Sequence, residues 1–447
     1  MAGGIFIQQN KVRPGFYHKF TAAPKTKNLF GEIGVAAIPI ALDWGTDEEM
    51  IVLHADASER EFYQKLGYPK DHILPVREIL KRAKTLIAYR INGAGDKAEL
   101  DMTPQPVMVA AKHAGERGNA ISVAIEEEDS GSGKYCVKTY LDAVLQDEQN
   151  GVLQAEDIQD NDWVTFAGAG SITAAAGGTL TGGTNSTPHL SDYAQFLILL
   201  ESYDCNAFGT MSNDMAIKEL FVQAAKKRID ELGRMGQCVL CDMESGHEAV
   251  ISVKNGVILR DGTVIDKQTV VAWLIGAAAS AGPAQSLTYT AYDEAIGPDI
   301  RLSNEAIEQA LQKGQIVFVA RHNEYGDPVA VIEQDVNTLT RFTKERPPIW
   351  GKNRVVRSLQ FLVNSLSRIW HLYYVGKVDN NAIGRGLFKA DLAALMRTLN
   401  EQGAFENFDA EKDIRIEKGS TSDSVVAQMA VQPVDAMEKI YFTVEVH

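Results

Sequence analysis

The chain has 447 residues, 45% of them hydrophobic and 23% charged, with a formal net charge of −15. That length exceeds what one hydrophobic core holds, so two to four domains are expected, and the ordinary globular composition argues against a disordered or collagen-like chain. No apolar run approaches the roughly 18 residues of a membrane span, and MAGGIFIQQNKVRPGF lacks a signal-peptide pattern, so synthesis in a cytoplasm is expected.

Residues 1–28 read as an arm. IFIQQNKV and FYHKF have strand composition, interrupted at Pro14-Gly15, with little nearby to bury them. Residues 29–92 have an α/β rhythm. GVAAIPIALDWG is a buried strand, and DASEREFYQKLG spaces Phe62 and Leu66 helically behind the cap residues Asp56 and Ser58. A helix in ILPVREILKRA then leads into the strand KTLIAYRI.

Residues 93–178 change character. PVMVAAKH, NAISVAIEE, KYCVKTYL and DWVTFAG are short β-type runs with turn residues between them, which predicts a small sandwich or barrel. The stretch GAGSITAAAGGTLTGGTNSTP reads as a flexible connection. Residues 179–344 return to alternation. Helices are expected in TPHLSDYAQFLILLESY, NDMAIKELFVQAAKKRIDELG (capped by Asn213 or Asp214), DKQTVVAWLIGAAASAGPA and SNEAIEQALQKG. Strands are expected in NAFGTMS and QCVLCDM, and a hairpin from QIVFVARH and PVAVIEQD.

The shared rhythm predicts one discontinuous α/β core whose two segments share a sheet, with the β-rich domain inserted between them. Residues 345–447 form a C-terminal α+β domain. Its first helix spans about 353–375, with Val355, Val356, Leu359, Leu362, Val363, Leu366, Ile369 and Trp370 on one face. A second helix covers Ile383 to Leu399, and SVVAQMAVQPVDAM supplies a strand. The fold class is therefore multidomain, α/β and α+β.

Catalytic patterns are wanting. Cys238 and Cys241 form a C-x-x-C inside a buried-strand run, where positions three apart face opposite ways, so both are expected in the core. The glycine-rich stretches lack the Lys-Ser/Thr pair of a phosphate loop. The nine histidines are scattered singly, and no G-x-S-x-G elbow supports a triad. No enzyme, cofactor or metal is expected, with a hydrolase on the α/β core as the alternative reading.

Two features point to assembly. Between Lys344 and Arg397 there are ten Lys or Arg and three Asp or Glu, a local +7 on an acidic chain. Nucleic-acid motifs do not accompany it, so an acidic protein partner is expected, contacted through Lys352, Arg354 and Arg357. The chain's last run, MEKIYFTVEVH, alternates Ile440, Phe442, Val444 and Val446 with polar or aromatic residues. Such a strand needs a partner: VVAQMAV on one edge, and on the other a neighbouring copy's arm through Ile5, Ile7, Val12, Phe16 and Phe20. A head-to-tail linkage of this kind builds rings or helical filaments.

In chain order, NKVRPGFYHKF, GVAAIPIALDWG, AKHAGERGNAISVAIE and VQPVDAMEKIYFTVEV resemble the tail sheath protein of contractile bacteriophage tails. The resemblance covers essentially the whole chain and is strongest to sheaths of phages and defective prophages of Gram-positive bacteria. It implies a subtilisin-like layout of the core without protease function. It also implies stacked six-membered rings around a tail tube, joined by terminal arms, whose contraction drives the tube through a host envelope. The implied partners are other copies of the chain, the tail tube protein, and baseplate and tail terminator proteins, with no nucleic acid and no direct membrane insertion. The implied location is the virion tail, after assembly in the host bacterial cytoplasm, with Lys352, Arg354 and Arg357 turned to the tube. A non-contractile virion protein is a further alternative, disfavoured because such proteins are β-dominated.

Overall fold

The computed structural model describes residues 32–129 and 131–446, together with the backbone of Ala2–Ile5 and Gly15–His18, which pair in parallel. The arm side chains Ile5, Ile7, Val12, Phe16 and Phe20 lie outside the described residues.

All six residues of β1 (Val35–Ile40) are buried, as expected for a parallel strand covered on both faces. Then come β2 (Ile51–His54), α1 (Glu59–Leu66), α2 (Leu74–Leu80) and β3 (Thr85–Arg90). Ser58 Oγ accepts from the Glu61 N–H at 3.3 Å, and Gly67 closes α1 at a φ of 76°, a left-handed value that glycine adopts without strain. Pro75 sits in the first turn of α2, where no N–H is needed.

The next seven strands form two antiparallel sheets. They are β4 (Glu99–Asp101), β5 (Val107–Ala111), β6 (Ile121–Glu127), β7 (Tyr135–Leu141), β8 (Val144–Val152), β9 (Val164–Gly168) and β10 (Ala175–Thr179). One sheet has the order β8-β7-β6-β10, the other β9-β5-β4, and Val109, Ile121, Val123, Val137 and Val164 fill the space between them. The glycine-rich connection is corrected here: part of it is β10, paired with β6. Gly177 has a φ of 73°, and a Cβ there would stand 1.7 Å from the Val123 carbonyl oxygen, so only glycine permits this approach. Arg90 ties the sandwich down, its Nη1 donating to Gly45 O at 2.8 Å and Ala114 O at 2.7 Å.

The chain then continues through α3 (Leu190–Leu200), β11 (Ala207–Gly209), α4 (Met215–Asp230), β12 (Gln237–Cys241) and β13 (Val250–Val253). Asp214 caps α4, its carboxylate accepting from the Ala216 N–H at 2.7 Å. The strands β14 (Val257–Leu259), β15 (Val264–Ile265) and β16 (Ala295–Pro298) make a small antiparallel sheet around α5 (Val270–Ser280) in sequence. After α6 (Asn304–Gln312) come β17 (Gln315–Ile316) and the hairpin β18 (Phe318–His322) and β19 (Pro328–Ile332).

One seven-stranded sheet has the order β17-β13-β12-β11-β1-β3-β2, parallel except for β2. Strands from before and after the sandwich lie side by side in it, with Ala36 opposite Ala207 and Ala37 opposite Phe208. Ile79 of α2 and Trp273 of α5 pack in the core cluster on one face; Phe196 of α3 and Phe221 of α4 pack in the cluster on the other.

The C-terminal region holds α7 (Asn353–Ile369) and α8 (Ala382–Glu401), packed through Leu362, Ile369, Phe388, Leu395 and Leu399. The first helix ends earlier than its apolar pattern predicts, passing into a π-type turn at Trp370–Tyr374. Then come β20 (Phe405–Glu406), β21 (Ile414–Lys418), β22 (Val425–Met429) and β23 (Gln432–Pro433). The hairpin partner of β22 is β21, and β23 pairs with β20, so VVAQMAV does not pair with the terminal run as expected. The protein is a mixed α/β multidomain chain with several sheets.

Candidate assembly site at the core–tail joint

Of the three cations expected to face a partner, Arg357 is buried and Lys352 and Arg354 are half-buried. Arg357 is 6% exposed, and its Nη2 meets Asp335 Oδ2 at 2.5 Å. Its Nη1 donates to Gln237 Oε1 at 3.1 Å and its Nη2 to Gln285 O at 3.0 Å. Asp335, 1% exposed, also accepts from Asn353 Nδ2 at 2.8 Å and the Leu287 N–H at 2.9 Å. A buried carboxylate persists when its lone pairs are taken up in this way. Arg354 donates to Gly403 O at 3.1 Å, and Lys352 grips Glu438.

The expectation is therefore corrected for Arg357, which belongs to the interior; Lys352 and Arg354 are half-buried and bonded within the subunit. Their partners lie 22, 49 and 86 positions away in sequence, beyond the reach of a local charge count. The exposed cations of the same segment are Lys344, Arg368, Lys377 and Arg397.

The tail crosses this joint. Val434 N–H donates to Ala404 O at 3.0 Å. Four residues later the Glu438 carboxylate accepts from Thr288 Oγ1 at 2.8 Å, from Gln334 Nε2 at 2.6 Å and from Lys352 Nζ. Burial alone would raise its pKa; the hydrogen bonds from Lys352, Gln334 and Thr288 outweigh that and hold it below its ordinary value.

Beyond Glu438 every described residue is exposed. Ile440 is 86% exposed, Phe442 81%, Val444 66% and Val446 90%. The alternation is there, but among the described residues the run pairs with no strand. An apolar edge left open in this way is a template for another chain.

Catalytic and metal chemistry finds no comparable site among the described residues. Cys238 lies in the core cluster on one face of the central sheet and Cys241 in the cluster on the other, so the pair cannot converge on one ion. Both are buried free thiols, and burial pushes their pKa values up. Among the described residues no three His, Cys, Asp or Glu side chains are placed to hold a metal. His247 Nδ1 accepts from the Ala249 N–H at 3.2 Å, and the nearby Ser245 hydroxyl pairs with Thr338 instead, at 2.6 Å. A cleft of about 700 Å³ between α1 and the sandwich is lined by Asp142, Asp147, Asp160 and Asp162, with no Ser, His or Cys.

Comparison with known proteins decides the family. Four family descriptions match in chain order: tail sheath protein Gp18 domain III N-terminal region over residues 34–91, phage tail sheath protein beta-sandwich domain over 92–185, its central domain over 183–338, and phage tail sheath C-terminal domain over 345–447. The phage-like element PBSX protein XkdK of Bacillus subtilis (strain 168) is 32% identical, with 100% of each chain covered. The chain belongs to the phage tail sheath protein family.

A crystal structure of the sheath tail protein from Desulfitobacterium hafniense superposes with a TM-score of 0.82 at 37% identity, covering 97% of this chain and 100% of that one. The helical sheath of the anti-feeding prophage in its contracted state has a TM-score of 0.55 at 11% identity, covering 97% and 99%, a likeness of fold alone. As a sheath protein the chain is a structural subunit of a phage-type tail. Within the sheath framework, Asp335 falls in the matched central domain, while Lys352 and Glu438 fall in the matched C-terminal domain.

Proposed function

We propose that this sheath subunit polymerises as stacked six-membered rings around a tail tube, and that contraction of the sheath drives the tube through the host envelope. The observation that carries this is the run after Glu438: strand-like, apolar on alternate positions, and without a partner strand among the described residues. Ile440, Phe442, Val444 and Val446 would pair with a neighbouring copy's arm through Ile5, Ile7, Val12, Phe16 and Phe20, beside the open edges of the β21–β22 hairpin. Main-chain hydrogen bonds of this kind tolerate subunit rotation when the chain flexes at the root of each arm.

Within the subunit, residues 29–92 and 179–344 act as one discontinuous core with a subtilisin-like layout, carrying the inserted domain 93–178. Residues 345–447 form the C-terminal domain and 1–28 the linking arm. The single sheet built from both core segments supports this division. The role is structural rather than catalytic, a reading supported by membership of the sheath family. The partners are further copies, the tail tube, and baseplate and tail terminator proteins. The chain is made in the host bacterial cytoplasm and resides in the virion tail.

Contact with the tube falls to the exposed Arg368, Lys377 and Arg397, with the half-buried Lys352 and Arg354 beside them in sequence and Arg357 excluded by burial. Exposed pairs contribute about 0–1 kcal/mol each, so several must act together. Electron microscopy of the purified protein tests the reading. Hollow, striated tubes are expected; a protein that stays unassembled under all polymerising conditions would contradict it.

A further inference from the structure

Glu438 is the last described residue of the tail that its own subunit holds. Two of its donors, Thr288 and Gln334, belong to the region matched as the central domain; the third, Lys352, directly precedes α7. Thr288 Oγ1 also accepts from the Asp335 N–H at 3.0 Å, which joins this site to the buried Asp335–Arg357 pair. The tail thus emerges from the C-terminal domain but is tied to the central one.

We infer that Glu438 is the anchor of the C-terminal arm: a positioning residue that sets the pivot between Glu438 and Lys439. Load applied to the arm by a neighbouring copy then passes through Lys352, Gln334 and Thr288 into the central sheet domain. The inference rests on the linking role proposed above. Constraint along the tail ends abruptly at this residue, since among the described residues no side-chain hydrogen bond or ion pair holds 439–446. A partly buried carboxylate held by an ammonium and two neutral donors resists displacement more than a single neutral bond does. Without it, the nearest hold is the neutral Val434-to-Ala404 bond at 3.0 Å. The pivot would retreat by four residues, lengthening the free arm by about 13 Å at roughly 3.3 Å per residue.

The test compares the full chain with Glu438→Ala and with the exchanged pair Lys352→Glu/Glu438→Lys. In the unassembled subunit, backbone order parameters over residues 435–438 should fall from about 0.85 to below about 0.6 in Glu438→Ala, while Val434 and β12 stay ordered. Its tubes should show irregular ring spacing or fail to form, and the exchanged pair should recover both properties in part. Should Glu438→Ala not fold, Glu438→Gln, which keeps the shape and loses the charge, is read in the same way. Unchanged order over 435–438, or a loosened tail with unaltered ring spacing, overturns the anchor. Normal tubes from a chain lacking residues 440–447 would instead overturn the linking role itself.

Discussion

Two runs of this chain have strand composition and opposite fates. QCVLC, in β12, is buried at every position between β11 and β13. IYFTVEV, near the end of the tail, is exposed at every position and pairs with no described strand. Intrinsic preference would predict the reverse, since six of the seven residues of IYFTVEV are β-branched or aromatic against one of five in QCVLC. What differs is the supply of neighbours: among the described residues the topology delivers two to β12 and none to the tail. A strand pattern states a capacity to pair, and the partner is set by the fold or by another molecule.

The joint beside the tail should break most severely. Replacing Asp335 by Ala strands the Arg357 guanidinium in the interior, and a loss of about 3–5 kcal/mol is expected by equilibrium denaturation. A loss below 1 kcal/mol would mean that the cation is not held internally. Next, Leu240→Ala in β12 should cost about 2–5 kcal/mol, whereas Val444→Ala should leave subunit stability within about 0.5 kcal/mol and weaken tube formation. Equal losses in the two variants would erase the distinction between the runs.

A third experiment uses pH. Burial, reinforced by Lys112, Arg90 and Lys97 and opposed by Asp47, lowers the His113 pKa to about 4. The folded value lies below the unfolded value of about 6.5, so the unfolded chain takes the proton first and stability falls as pH drops between them. His113→Gln should flatten that slope, and removal of residues 440–447 should leave it unchanged; urea midpoints across this range would show both. Glu438 acts lower on the scale, because its depressed pKa preserves its contribution until pH falls below the ordinary carboxylate range. A smaller loss than those in the core is expected at Ser58→Ala, which removes the α1 cap at a cost of about 1 kcal/mol, read as a shift in the melting curve.

The sequence made some of this legible and hid the rest for identifiable reasons. β1 and β12 announce themselves as continuous apolar runs, and Ser58 and Asp214 mark helix starts through local hydrogen bonds. β10 is hidden because Ala and Gly pair through their backbones with no side-chain pattern to show it. The basic segment misleads because charge is counted locally, while the acceptors of Lys352, Arg354 and Arg357 arrive from distant parts of the chain. The alternation of Ile440 to Val446 is plain, but a missing partner leaves no trace in composition.

The most direct test places the full chain and the chain lacking residues 440–447 side by side under polymerising conditions, with electron microscopy and analytical ultracentrifugation as readouts. The full chain should form striated tubes, and the shortened chain should remain a folded subunit that forms none. Normal tubes from the shortened chain would contradict the account.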